Sequence, residues 1–234
     1  MVSGAVPYGR ITSGIPAETA ALKTLDFIAS HLAAWRDDPE RPVGERERHL
    51  NPQLCKFLNV AANRSGFAMV HFNHEEPQGD RHSADFSANP ADAGWIEGLQ
   101  YTKYEPILVM EGKRLPTPGT GREREYVTSP PGEKPGGGVQ RFKLGLHAAS
   151  LPIAGMVGYV QAKTCGDWFP EVNRWIEDLA ASGTVDWSRD DRLMHFAYDS
   201  ASGVSRCESR HQRETAIVLP IRLTHLWVEM NRLQ

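Results

Sequence analysis

The chain is short of cysteine, of surplus positive charge and of long apolar runs, and each shortage closes off a class of protein. Its three cysteines, Cys55, Cys165 and Cys207, lie far apart and form no C-x-x-C pair, so neither a thiolate zinc site nor a disulfide framework is expected. They read as small buried hydrophobes. No apolar stretch nears the roughly 18 residues that a membrane helix needs, so no membrane partner is expected. Met1 to Ile15 lacks the basic and apolar regions of a signal peptide, which makes the cytoplasm the expected location. A net charge of −3 argues against a protein that coats nucleic acid by bulk charge, but leaves room for an enzyme gripping a short stretch through a local basic face. Several catalytic signatures are missing too. There is no H-E-x-x-H, no G-x-S-x-G, and the glycine-rich 132–138 stretch lacks the G-K-[ST] ending of a phosphate loop. His71, His74 and His82 suggest zinc by count, but strand alternation does not put His74 beside His71.

What is present fits one domain. At 234 residues with 40% hydrophobic residues, the chain can bury a real core. We expect a single α/β domain over 1–234, opening with a helical segment (about 1–62) and closing with a β extension (about 190–234). Residues 17–35 carry Leu22, Leu25, Ile28, Leu32 and Trp35 at helical spacing. Residues 45–62 read as a second helix, with Pro52 either kinking it or following a true start capped by Asn51. Three β-like segments follow, Phe67–Phe72, Ser83–Ser87 and Glu105–Leu115, in the order of an antiparallel meander. Residues 116–138 form a long Pro- and Gly-rich loop, of the kind that often serves function. A helix over 139–149, a buried strand over Ile153–Gln161, a helix over Trp168–Ala181 and strands through Ala216–Val228 complete the reading.

The chemistry concentrates where the apolar run Ile107–Met110 turns abruptly into Glu111-Gly112-Lys113. On a strand, residues two apart face the same way, so Glu111 and Lys113 project side by side. Antiparallel pairing with the preceding segment would bring Asp85 beside Glu111. Two hard oxygen ligands and one cation then share a small volume. That suits Mg²⁺ or Mn²⁺, held by carboxylates, water and phosphate oxygens. The neighbouring lysine would orient or deprotonate a water and balance charge in the transition state. An isolated E-x-K is also a common solvent-exposed ion pair; its place after a buried run, with an acid on the previous strand, favours the site.

The stretch from about Phe67 to Gln161 resembles the PD-(D/E)xK, or restriction-endonuclease-like, superfamily. Ser83-Ala84-Asp85, Ile107 to Arg114, Gly138 to Lys143 and Gly155 to Tyr159 carry the resemblance. Ala84 stands where that pattern has proline. The resemblance implies a mixed central β-sheet flanked by helices, with Asp85 and Glu111 binding metal and Lys113 assisting catalysis. It also implies an early-helix glutamate near the metal, for which Glu47 is the candidate, with Glu45 and Glu18 competing. An acid there also suits a helix N-terminus. Finally, it implies a polar residue facing the cleft from the helix after the long loop, a role carried to Gln140.

Arg114, Arg122, Arg124, Arg141 and Lys143 are the expected phosphate contacts. Gln140, Lys143 and His147 recur on one side of their helix, which a solvated basic face would also explain. Arg206, Arg210 and Arg213 form a second basic cluster. The expected activity is metal-dependent hydrolysis of DNA phosphodiesters in restriction, phage defence or repair, with RNA open as a substrate. A homodimer is expected, and a partner protein is also open. The competing readings are a catalytically silent DNA-binding or assembly module of a defence complex, and a glycosidase using Asp85 and Glu111 as paired carboxylates.

Overall fold

A computed structural model describes residues 18–78, 82–96, 99–130, 132–183, 187–213 and 219–231. The expected helix start at Ala17, everything before it and the first residues of the stretch from Ala216 lie outside the described residues. Helix α1 (Thr19–Arg36) buries Leu25, Ile28, Leu32 and Trp35, as their spacing requires. Helix α2 (Glu47–Ser65) runs straight through Pro52. Asn51 is therefore not its cap: it is a buried interior residue whose Oδ1 accepts a 2.7 Å hydrogen bond from the Tyr159 hydroxyl. Pro52 is the sixth helical residue, so its missing N–H leaves the Arg48 carbonyl without its usual partner and the helix continues with one rung absent.

Strand β1 (Val70–Pro77) begins later than the apolar run suggested. Phe67 and Met69 pack on the core from the turn after α2, so their hydrophobicity reports burial rather than a strand. Strand β2 (Ser83–Pro90) leads to a small hairpin of β3 (Gly94–Ile96) and β4 (Leu99–Tyr101), then to β5 (Leu108–Leu115). Helix α3 (Gly138–Lys143) is a short turn and a half rather than a helix through 149; Gly145, at φ 69°, ends the helical path. Strand β6 (Ile153–Val160) and helix α4 (Cys165–Ala181) follow, the helix capped reciprocally by Thr164 and Asp167. Strands β7 (Met194–Asp199), β8 (Val204–His211) and β9 (Ile221–Glu229) complete the chain.

Seven of these strands form one mixed sheet in the order β1-β2-β5-β6-β9-β8-β7. The central β5, β6 and β9 are parallel, and antiparallel pairs flank them. The C-terminal strands are thus no peripheral extension, since β9 lies against β6 in the middle. Helices α1 and α2 cover one face over Phe86, Met110, Val157 and Leu226. Helices α3 and α4 cover the other over Val109, Met156, Leu223 and Trp227. Strand β6 is buried on both faces, as a parallel strand between helical layers must be. Among the described residues no helix is long and apolar enough to cross a membrane.

The packing between the central strands leaves no spare volume. A Cβ built on Gly158 would lie 2.3 Å from Cδ1 of the fully buried Trp227. Gly158→Ala should therefore cost about 1–3 kcal/mol, the usual penalty for overpacking. Urea denaturation would read this as a lower midpoint at unchanged slope. A wild-type midpoint would mean that the sheet accommodates the methyl by sliding.

Candidate active site

The site forms where the sheet divides. Strands β2 and β5 pair from Ala88↔Leu108 only as far as Phe86↔Met110. One residue further, the Asp85 Oδ2 accepts the Gly112 N–H at 2.8 Å, taking the place of a strand neighbour. Strand β5 meanwhile stays paired with β6 as far as Leu115↔Val160. Alternation sends Glu111 and Lys113 to the face of Val109 and Leu115. Gly112 is turned the other way, under α2. A Cβ there would lie 2.1 Å from Asn51 Oδ1 and 3.0 Å from the Tyr159 ring. The middle residue of the Glu-Gly-Lys run is thus glycine because α2 is pressed onto the strand at that point.

Glu111 is completely buried. Its Oε1 lies 3.1 Å from the Arg141 guanidinium and 2.7 Å from His147 Nδ1; Lys113 Nζ is 3.6 Å from Oε2. The histidine contact is close but poorly aligned, so Nδ1 lacks a directed partner; on its other side the Glu111 carboxylate lies within hydrogen-bonding reach of the Asp85 carboxyl. Lys113 Nζ also reaches Glu47 Oε2 at 3.3 Å, and Glu47 Oε1 accepts the Arg114 N–H at 3.0 Å.

The two central acids titrate in opposite directions. Burial, followed by the neighbouring Glu111 carboxylate, pushes Asp85 up to about 8. Burial also acts to raise Glu111, but contact with His147 and the charges of Lys113 and Arg141 outweigh it and hold Glu111 well below the usual carboxylate range. At neutral pH the pair therefore keeps one proton, on the Asp85 side. Burial would lower Lys113, yet Glu111, Asp85 and Glu47 together raise it. The side chain is a fixed ammonium. It can orient a water and neutralise developing charge, but in this state it cannot take a proton.

Asp85, Glu111, Lys113 and Glu47 are thus brought together from β2, β5 and the first turn of α2. Glu47 takes a different post from the one expected. Both its oxygens are engaged by Lys113 and Arg114, so it braces the lysine rather than facing the acid pair. Gln140 is engaged with the long loop. Its Oε1 accepts from Ser129 N at 3.1 Å and from the Ser129 hydroxyl at 3.2 Å, closing the long loop onto α3. Lys143 is buried and paired with Asp191 at 2.8 Å, so it cannot meet a phosphate. Arg124 pairs with Asp178 on α4, and Arg122 with Glu125. Arg141 enters the site through Glu111. In the second basic cluster, Arg213 is spent on the Ala148 and Ala149 carbonyls, and Arg206 on Asp26. Sequence reasoning missed His147 and Asn51. The only signal for His147 was its spacing from Lys143, and the helix that spacing assumed stops short of it.

A divalent ion would find two carboxylates here, in hydrogen-bonding reach of each other, with a proton between them that a cation can replace. This donor set fits a hard ion that keeps several waters. Among the described residues no group of three or more His, Cys, Asp and Glu side chains forms a metal cage. No family model, curated protein or solved structure matches the chain.

The raised Asp85 has a consequence for stability. Its folded-state value exceeds its ordinary 3.8, so its contribution is full below about pH 4 and is lost as pH rises through about 8. Asp85→Asn keeps an oxygen for the Gly112 N–H but cannot ionise. In chelator, its melting temperature should exceed that of wild type by a margin that widens from pH 5 to pH 9. A margin constant with pH would show that Asp85 is already ionised at neutrality.

Proposed function

We propose that the protein is a metal-dependent endonuclease with a restriction-endonuclease-like fold, hydrolysing DNA phosphodiesters with Mg²⁺ or Mn²⁺. The observation that carries this reading is the meeting of Asp85 and Glu111 at the split between β2 and β5, with the Lys113 ammonium 3.6 Å from the glutamate. The strand order supports it, since the antiparallel β1-β2-β5 run continues into parallel β6 beyond the crossover that carries α3.

The metal, when bound, would polarise the scissile phosphate and acidify a water. Asp85 and Glu111 would hold it. Lys113, braced by Glu47, would donate hydrogen bonds to the attacking water and to the charge building on the phosphoryl oxygens. Arg141, whose side chain is 27% exposed, and Arg114, next to Lys113, line the approach to the cluster. Arg122 stands close enough to Glu47 for its charge to be felt there. Cutting both strands of a duplex with one site per chain calls for two copies, so a homodimer belongs to this reading. Restriction, phage defence or repair would use such an activity.

One observation favours a second reading. Glu111 and Glu47 are already matched by Lys113, Arg141 and Arg114, so the cluster is electrostatically complete without an ion. That arrangement also suits a nuclease-fold module retained for DNA binding or assembly.

Incubation with plasmid, linear and single-stranded DNA and with RNA, in Mg²⁺, Mn²⁺ or chelator, separates the two. Lys113→Ala should slow metal-dependent cutting by about 10²–10³-fold, the usual effect of removing one transition-state donor, while DNA binding in Ca²⁺ persists. Cutting at the wild-type rate would remove Lys113 from the mechanism; cutting by neither protein under any condition would favour the silent module. In the same Ca²⁺ assay, Arg122→Ala should flatten the dependence of log affinity on log salt by about 0.9, one phosphate contact on duplex DNA. An unchanged slope would place the loop away from the nucleic acid.

A further inference from the structure

Arg141 and His147 meet the same oxygen of Glu111 from opposite situations. Arg141 reaches it from the cleft, with part of its guanidinium open to solvent. His147 reaches it from inside, at 1% exposure, and its Nδ1 has no other partner. An arginine at the cleft wall has a phosphate to turn to when substrate arrives. The histidine has nowhere else to go.

The backbone holds His147 firmly in this place. Beyond the end of α3, the N–H groups of Leu146 and His147 both donate to the Arg141 carbonyl, at 2.9 and 3.2 Å. The Ala148 N–H donates to Gln78 Oε1 at 2.8 Å, tying the turn to the end of β1. From just beyond the end of β8, Arg213 donates to the Ala148 and Ala149 carbonyls at 2.9 and 2.8 Å. Ala148 itself sits at φ 52°, a left-handed conformation that a residue with a Cβ adopts only where its surroundings dictate it. The imidazole rests edge-on against Phe142, with ring centroids 5.8 Å apart. Helix α3, the end of β1 and the segment after β8 thus converge to set one ring beside one carboxylate oxygen.

We propose that His147 is the positioning residue of the site: it fixes Glu111 Oε1 so that Oε2 is turned toward Asp85 as a metal ligand. An ionised carboxylate only accepts hydrogen bonds, so the contact requires the proton on Nδ1. A small rotation of the ring would align it. With one oxygen pinned, the other has a defined direction and the cost of ordering the ligand is met before an ion arrives. Loss of such a supporting partner typically weakens metal affinity by about 10–100-fold. This inference rests on the reading of Asp85 and Glu111 as a metal pair.

The test is calorimetric titration of the full-length chain with Mn²⁺ alone, in wild type, His147→Ala and His147→Asn. The asparagine amide nitrogen lies close to where Nδ1 stands, so it restores a donor without the ring. His147→Ala should bind Mn²⁺ about 10–100-fold more weakly than wild type, and His147→Asn within about three-fold of it. Equal affinity in wild type and His147→Ala would overturn the positioning role and leave the metal reading standing. Absence of Mn²⁺ binding by wild type would overturn both. Should His147→Ala melt below the assay temperature, His147→Leu, which fills the space without a donor, decides against the asparagine variant: a ten-fold loss in leucine alone supports the role, and wild-type affinity in both overturns it.

Discussion

A carboxylate with no exposure to water is the constraint around which this protein is arranged. An ionised Glu111 in the interior must be met by charge and hydrogen bonds, and removing one partner from such a group costs about 3–5 kcal/mol. The compensation comes from three directions: Lys113 on the same strand, Arg141 on α3, and His147 on the turn beyond it. Each partner in turn dictates local structure. Lys113 needs Glu47, which fixes the first turn of α2 above the end of β5. Arg141 needs α3 seated against β5 and β6. The glycine run before α3 follows from that seating. A Cβ on Gly138 would lie 2.5 Å from Met156 Cε and 3.3 Å from Lys113 Cγ, and one on Gly137 would lie 2.3 Å from Thr128. Gly137 and Gly138 are a point of close approach.

A second polar network holds α3 at its other side. Lys143 is paired with Asp191, whose carboxylate also meets His211 Nδ1 at 2.7 Å. Ser209 bridges His211 and His225, and His225 meets the Tyr126 hydroxyl, which accepts from Trp227 Nε1. The chain of contacts therefore runs from α3 through β8 and β9 to the long loop. Burial holds His225 down to about 3, so it is neutral and its two nitrogens divide into one donor and one acceptor. A buried network with every member engaged specifies a single arrangement, because any alternative strands a polar group. Here it prevents α3 from rotating about its axis, and so keeps Arg141 pointed at Glu111.

The acid-lysine core of the site was legible in the sequence because it depends on local rules. Strand alternation puts Glu111 beside Lys113, and meander order puts Asp85 next to them. The helices α1 and α4 were legible for the same reason, α1 through the spacing of Leu25, Ile28 and Leu32 and α4 as the helix expected over Trp168–Ala181. Legibility ended where a residue's partner lay far along the chain. Lys143 and Arg141 look alike in sequence, yet one is sealed by Asp191 and the other opens to the cleft. Gln140 is taken by Ser129, a partner on the loop that no period reveals. Periodicity tells which side chains share a face, and only tertiary structure tells what covers that face. Strand β1 shows the converse: its outer half, His74 to Pro77, runs past the core that buries Val70 and Phe72 and is polar, so no apolar pattern announced it.

On the proposed metal-dependent reading, Glu47 shows how the cluster would reconcile a buried lysine with an incoming ion. If Lys113 were balanced by Glu111 and Asp85 alone, an incoming dication at those two acids would compete directly for its counter-charges. An ammonium beside an uncompensated dication would be repelled from the place where it is useful. Glu47 gives Lys113 a carboxylate of its own, outside the acid pair and anchored by the Arg114 N–H. The proton on Asp85 supplies the other half of the balance, since its loss adds one negative charge at the point where the positive charge would enter. The lysine can therefore stay in place through both states of the site, which orienting a water requires. On that reading Glu47 serves the site through the lysine, one step removed from the acid pair.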